Sequence, residues 1–252
     1  MQDTDYLHIL RQYELEVALS AFPDAGGIGT KTKVLEIGAG TGHQAKLLHE
    51  RGYLVEAIDV ESSAYKMQRV FPVVEYDGKV IPVPSESVGV VYSSNVLEHV
   101  IDLDNFLDET ARVLAHRAVA IHILPSSAWR LWTIVGHYGW LIKKVLARVF
   151  RTRTCSDAAL PKTPSTRNEF VDALFPSRHG ERGNVMSEIY LYSRAWWIRK
   201  FEMHGFRIVA DYPTGLFYTG ACVFGEHLSI IQRPRIARCL GSACRIYVLQ
   251  RL

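Results

Sequence analysis

Two rhythms of apolar residues alternate along the first half of the chain. Short aliphatic runs bounded by turn formers predict buried strands at Lys33–Ile37, Tyr53–Ile58, Val73–Tyr76, Val88–Tyr92 and Ala118–Ile123. Between them, apolar residues recurring every three or four positions predict helices at Gln44–Arg51, Ser62–Phe71 and Leu103–Val113, with AHR (115–117) as the connector into the fifth strand. Strands separated by helices imply crossover connections and a parallel sheet. Upstream, Tyr6, Ile9, Leu10, Tyr13 and Val17 predict an amphipathic helix over 4–20, ended by Pro23 and the turn AGGIG.

After Pro125 the alternation stops. Residues 126–150 are aromatic and basic, and 151–193 are polar with prolines at 161, 164 and 176. Regularity returns with a helix at Ser193–His204, a strand at Phe206–Ala210 and a closing strand at Arg245–Gln250. The chain therefore divides into a main domain, 1–125 with 193–252, and an insertion, 126–192, expected to form a lid over an acceptor site. Its 252 residues, 48% hydrophobic and 22% charged, suit one α/β domain with an insertion.

A formal net charge of +3 gives no global field for nucleic acid, although basic residues cluster at 143–153. Cysteines at 155, 222, 239 and 244 offer neither a CxxC pair nor a Cys/His zinc spacing, so no metal is expected and free thiols in a reducing compartment are. The acidic, amphipathic start lacks the basic n-region and apolar core of a signal peptide, so a cytoplasmic protein is expected.

The stretch VLEIGAGTGHQAKLL (34–48) carries the strongest chemical signal. Gly38, Gly40 and Gly42 follow a strand and open a helix, where glycine permits backbone conformations closed to other residues and lets a ligand approach the chain. The spacing is GxGxG, not GxGxxG, and the negative charge of Glu36 opposes a pyrophosphate while suiting an amino group or nearby cation. Asp59 ends the second strand, 19 residues after Gly40, where a carboxylate can accept hydrogen bonds from ribose hydroxyls. Plainer readings exist: a structural glycine turn, a helix N-cap at Asp59, an ordinary Asp-Gly turn at Asp77–Gly78.

This succession resembles the class I S-adenosylmethionine-dependent methyltransferases, particularly the broad subgroup that includes the ubiquinone-biosynthesis O-methyltransferases. The likeness covers about residues 33–124, and more loosely 193–252. It implies an α/β, Rossmann-like, doubly wound, seven-stranded and mostly parallel sheet with a closing antiparallel strand, and S-adenosyl-L-methionine as cofactor. By position it assigns the methionine end to Glu36, Gly38, Ala39, Gly40 and Gly42, the ribose to Asp59 with Val60 beside it, and the adenine amino group to Asp77 beside Gly78. VGVVYSSNVLEHV places Ser94 and Asn95 against the cofactor and His99 toward the acceptor. The family usually carries an aspartate inside this strand where the chain has Gly89. SSNV also stands in place of an NPPY-type motif, and no nucleic-acid partner is expected.

Methyl transfer from a sulfonium is an in-line displacement, so positioning is essential and a general base optional. His99 is the first candidate base, the plainer reading being a histidine satisfied in a first helical turn. In SRHGERGNVMSEIYLYSR the polar set Arg178, His179, Glu181, Glu188, Tyr190 and Arg194 reads either as a loop closing over a hydroxylated acceptor or as a solvated surface loop. His179 and Glu188 are its best catalytic candidates, and Tyr212, Phe217 and Tyr218 suit a cleft lining or plain core.

The insertion holds twelve residues without formal charge, Leu131–Ile142, too few to span a bilayer. Trp129, Trp132 and Trp140, followed by Lys143, Lys144, Arg148, Arg151 and Arg153, suit either a lid helix packed on the domain or a homodimer partner, or a helix lying peripherally on an anionic membrane, 129–153. The sequence therefore predicts methyl transfer, preferentially to oxygen, on a small-molecule, saccharide or lipid-linked acceptor. An N- or C-methyltransferase and a non-catalytic scaffold are the alternatives.

Overall fold

The aliphatic run Lys33–Ile37 forms β1, buried from Val34 onward. It sits inside a seven-stranded sheet ordered β3-β2-β1-β4-β5-β7-β6. The remaining strands are β2 (Leu54–Val60), β3 (Val74–Tyr76), β4 (Val88–Ser94), β5 (Leu114–Pro125), β6 (Phe206–Pro213) and β7 (Cys244–Arg251). Strands β1 to β5 pair in parallel, and β7 runs antiparallel to both β5 and β6. The structure, a computed structural model, describes residues 2–27, 31–151, 176–219 and 228–252.

Alternation along the strands sends side chains to two apolar layers. On one face Val34, Val90, Tyr92, Ile121 and Ile246 pack with Leu15 and Ala18 of α1 (Gln2–Ala18) and Leu48 of α2 (His43–Glu50). On the other, Leu35, Val91, Ala120 and Leu249 pack with Phe106 and Leu107 of α3 (Leu103–Val113) and with Trp197 and Phe201 of a later helix, Arg194–Met203. Helices thus cover both faces, the doubly wound α/β arrangement. Asp102 caps α3 by accepting from the Asn105 amide, and Ser193 caps the later helix by accepting from Trp196, which fixes both starts.

The insertion opens with α4 (Ser127–Arg151), whose first turns are anchored in the domain. Ser126 N–H donates to Ala243 O, Ser127 Oγ to Ile189 O and Trp132 Nε1 to Leu240 O. It is followed, within the described residues, by α5 (Ser187–Leu191), α6 (Arg194–Met203) and α7 (Arg233–Leu240). Residues 152–175, with Cys155 and Arg153, and 220–227, with Cys222, lie outside the described residues; Cys239 and Cys244 are free thiols. Among the described residues no helix is long and apolar enough to cross a membrane.

Two expectations need correction. Ser62–Phe71 is not a helix; it holds one 3-10 turn, Lys66–Gln68. Met67 and Val70 are exposed, so the segment has no apolar stripe to bury as a helix, while Tyr65 and Phe71 are spent against the glycine turn. AHR belongs to β5 itself, with Arg117 at positive φ, 64°, and the pairing with β4 shifts register between Val88 and Val90, at Gly89. The sequence reading had no counterpart for α7, whose PRIARC pattern carries only two apolar residues in its middle.

Candidate functional site

In an open α/β sheet ligands bind beyond the carboxyl ends of the strands, where strand order reverses. Here that point lies between β1 and β4, and the turns after β1, β2 and β4 converge on it. Gly38, Gly40 and Gly42 all have positive φ, 72°, 54° and 75°. A Cβ on Gly38 would stand 2.4 Å from Val96 Cγ2, so the turn and the segment after β4 touch only because that side chain is missing. The Gly38 and Ala39 amides donate to Ile58 O, and the Gly42 amide to Ala39 O, which closes the turn. Asp59 fastens it from β2: Oδ2 accepts from the Gly40 amide at 3.1 Å and Oδ1 from the Val60 amide at 2.9 Å.

Glu36 lies beneath this turn, 2% exposed, and its Oε2 has no hydrogen-bond partner among the described residues. Burial, reinforced by the Asp59 carboxylate, pushes its pKa up to about 8. Farther along, Gly78 comes close to Val60, a Cβ there meeting Val60 Cγ1 at 3.3 Å. Asp77 is exposed and its Oδ1 accepts from the Lys79 and Val80 amides, which holds its pKa below the usual carboxylate value.

At the end of β4, Asn95 adopts φ 56° and donates its amide to Ile123 O. Its side chain donates to Ser94 Oγ at 3.3 Å and accepts from the Cys244 thiol at 3.4 Å. From Cys244 a buried chain continues to Tyr218 Oη (2.9 Å), from Tyr218 to Glu14 Oε1 (2.8 Å), and from Arg11 Nη1 to Glu14 Oε2 (2.6 Å). Burial raises the pKa of both Tyr218 and Cys244. Helix α1 thereby lies over the site, and His8 completes the cover by bonding Thr41 Oγ1 and stacking on His43. Sequence reading missed Arg11, Glu14 and Cys244. A signal was present: Glu14 sits midway between Leu10 and Ala18 on the apolar phase of the helix, where a carboxylate needs a partner.

The acceptor-side candidates come from two distant segments. His99 ends a 3-10 turn, Leu97–His99, that follows β4. Its ring meets the His179 ring edge to face at 4.8 Å, and His179 also lies 4.6 Å from Trp129 of α4. Partial burial lowers His99 below its usual value and brings His179, which also faces His99, down to about 4. Gly180 makes this approach possible, since a Cβ there would lie 2.7 Å from Glu98 O. The Glu181 amide donates to Glu98 O, and Arg182 donates to Leu97 O and Val100 O, so the loop is clamped to the turn after β4.

Glu188 does not reach this pair with its carboxylate. Fully buried, it accepts from the His179 and Gly180 amides, both at 2.7 Å, and forms an ion pair with buried Arg130 at 2.7 Å. It holds the His179 loop on α4. Arg178 and Glu181 pair on the surface, and Arg194 forms an ion pair with Asp211. Tyr190 is exposed, Tyr212 bonds Ser20, and Phe217 is core against Trp132. Glu98, beside His99, is fully buried, and burial raises its carboxyl to about 7.

Residues 35–121 match the family model described as a methyltransferase domain. No curated protein sequence matches the chain. Among solved structures, the chain is similar to an S-adenosylmethionine-dependent methyltransferase from Mesorhizobium loti, at 14% identity and TM-score 0.57, covering 95% of this chain and 98% of that one. Methyltransferases from Aquifex aeolicus (16% identity, TM-score 0.51, 94% and 89% covered) and Archaeoglobus fulgidus (16%, 0.50, 96% and 93%) share the fold as well. Residues 35–121 thus carry a methyltransferase domain, and the chain shares the fold of S-adenosylmethionine-dependent methyltransferases, which together support S-adenosylmethionine as its cofactor. The residues present suit that cofactor. The unpartnered oxygen of Glu36 can receive a cationic group, and the positive-φ glycines leave room beside it.

Proposed function

We propose that the chain transfers the methyl group to an oxygen of a small-molecule, saccharide or lipid-linked acceptor seated between the end of β4 and the insertion. Bound S-adenosylmethionine supplies the electrophilic methyl on a sulfonium. In this reading Glu36 faces the cationic methionine end, Asp59 holds the ribose as well as the Gly40 amide, and Asp77 with Gly78 borders the adenine. Ser94 and Asn95 flank the cofactor from β4.

The observation that carries the oxygen reading is the His99–His179 pair. Both imidazoles are held below their usual pKa and are therefore neutral near pH 7, able to accept a proton from a hydroxyl. Glu188 serves as a positioning residue for His179. Calorimetry with S-adenosylmethionine and its demethylated product, followed by labelled methyl transfer onto panels of phenols, sugars, lipid-linked hydroxyls and amines, tests the proposal. Binding of neither cofactor form would overturn it, as a dead scaffold predicts; label on amines alone would overturn the oxygen assignment.

Trp129 and Trp132 are used inside the fold, which supports the lid reading of α4. Its outer side, however, exposes Leu131, Val135, Tyr138, Ile142 and Leu146 at helical spacing. This stripe favours an additional surface role, contact with a membrane that carries a lipid-linked acceptor. Co-sedimentation with anionic vesicles at low salt tests it, and protein remaining in the supernatant would refute it.

A further inference from the structure

Glu98 is fully buried, and among the described residues neither of its carboxylate oxygens meets a hydrogen-bond partner from another residue. A buried carboxylate without partners costs several kcal/mol, so its retention calls for something that compensates it. Two imidazoles stand beside it. His99 Nε2 lies 3.9 Å from Glu98 Oε1, and one ligand atom from each of Glu98, His99 and His179 falls within 4.8 Å of the others. Both histidine side chains reach solvent while the carboxylate does not, which gives an entry path from one side.

We infer that Glu98, His99 and His179 form a three-ligand site for a divalent first-row transition cation such as Zn²⁺, Mn²⁺ or Co²⁺, open on the acceptor side. Two nitrogens and one carboxylate favour these ions over Mg²⁺ or Ca²⁺, which prefer oxygen alone. With metal–ligand bonds of about 2.1 Å, donor atoms around a tetrahedral ion stand roughly 3.4 Å apart. The observed separations, up to 4.8 Å, would close toward that value as the three side chains draw in around the ion. The neighbouring guanidinium of Arg182 is committed to Leu97 O and Val100 O, which stiffens the turn carrying two of the ligands. Glu188, by gripping the His179 and Gly180 amides, fixes the third.

The site deepens the methyl-transfer reading, and its role rests on that reading: in the metal-free chain the imidazoles accept the hydroxyl proton, and in the loaded chain the open coordination positions would take the acceptor oxygen and make its hydroxyl more acidic. Binding itself does not depend on it. The test titrates the chelator-stripped full chain with Co²⁺, followed by visible absorption, and with Zn²⁺ by equilibrium dialysis. The expected result is one cation per chain with ligand-field bands of a nitrogen-containing site, and at least about a tenfold weaker affinity in His179→Ala and in Glu98→Gln. Calorimetry with S-adenosylmethionine runs beside it. His179→Ala changes a solvent-exposed ring and is expected to keep donor binding, which separates loss of the cation from loss of fold. Substoichiometric binding by the parent chain, or unchanged binding in a folded His179→Ala variant, overturns the inference. A chain that binds the cation but not S-adenosylmethionine overturns the donor reading and leaves the site standing.

Discussion

Removing the charge of Glu36 should change the proton balance of cofactor binding in a measurable way. In the free protein this carboxyl is raised from its ordinary 4.5 to about 8, by burial first and by Asp59 second. With the cofactor placed as proposed, its positive charge meets this carboxyl, and the interaction requires the ionised form. At about pH 6.5 the group lies one and a half units below its pKa, so ionising it costs about 2 kcal/mol and weakens binding roughly thirtyfold relative to alkaline solution. Binding at that pH should therefore release close to one proton, seen as a dependence of the calorimetric enthalpy on the ionisation enthalpy of the buffer. Affinity should climb by up to about tenfold per pH unit toward 8, the slope of a single linked proton. Glu36→Gln should bind more weakly above pH 8 and lose that proton. The free protein gives a second check. Its folded pKa is raised above the unfolded value, so the stability from this group is fully present below about 4.5 and is lost as pH rises through 8, a change of at most about 5 kcal/mol that Glu36→Gln removes. A buffer-independent enthalpy in the parent chain, or identical proton release in the variant, would refute the placement of the cation against Glu36.

Gly38→Ala should lower stability by about 2–5 kcal/mol, since the new Cβ meets Val96 at 2.4 Å and the residue must hold φ 72°. Urea unfolding measures it, and a parent-like midpoint would show that the turn and the segment after β4 yield freely. Arg130→Met should cost about 3–5 kcal/mol by stranding the buried Glu188 carboxylate, a fall in melting temperature of roughly 6–20 °C. A shift of less than about 2 °C would show that the Arg130–Glu188 ion pair contributes little to the fold.

What the sequence made legible was whatever depends on local pattern. Leu103–Val113 was predicted with its observed bounds, because an Asp102 cap and a clear apolar stripe mark both its start and its inner face. The glycine turn and Asp59 were legible because residues 19 apart in sequence are joined by one crossover, and the Asp59–Gly40 bond spans that interval. Ser62–Phe71 was misread because its apolar residues serve the turn below it instead of a helix face. Glu98 was invisible as a partner of His179, since the two meet only through the insertion and a glycine, Gly180, small enough to let the backbones touch. Glu14 went unread for a related reason: its partner Tyr218 is 204 residues away.

That last separation bears on how the molecule is made. During synthesis α1 and the glycine turn emerge early, yet the thiol and phenol that tie α1 to Asn95 belong to β7 and the segment before it. Strand β7 also slots between β5 and β6, so β5 presents an open edge to other nascent chains until residues 244–251 leave the ribosome. The glycine-turn site is therefore closed only once β7 has been made, and stops placed after β5 should yield aggregates and no donor-binding fragment.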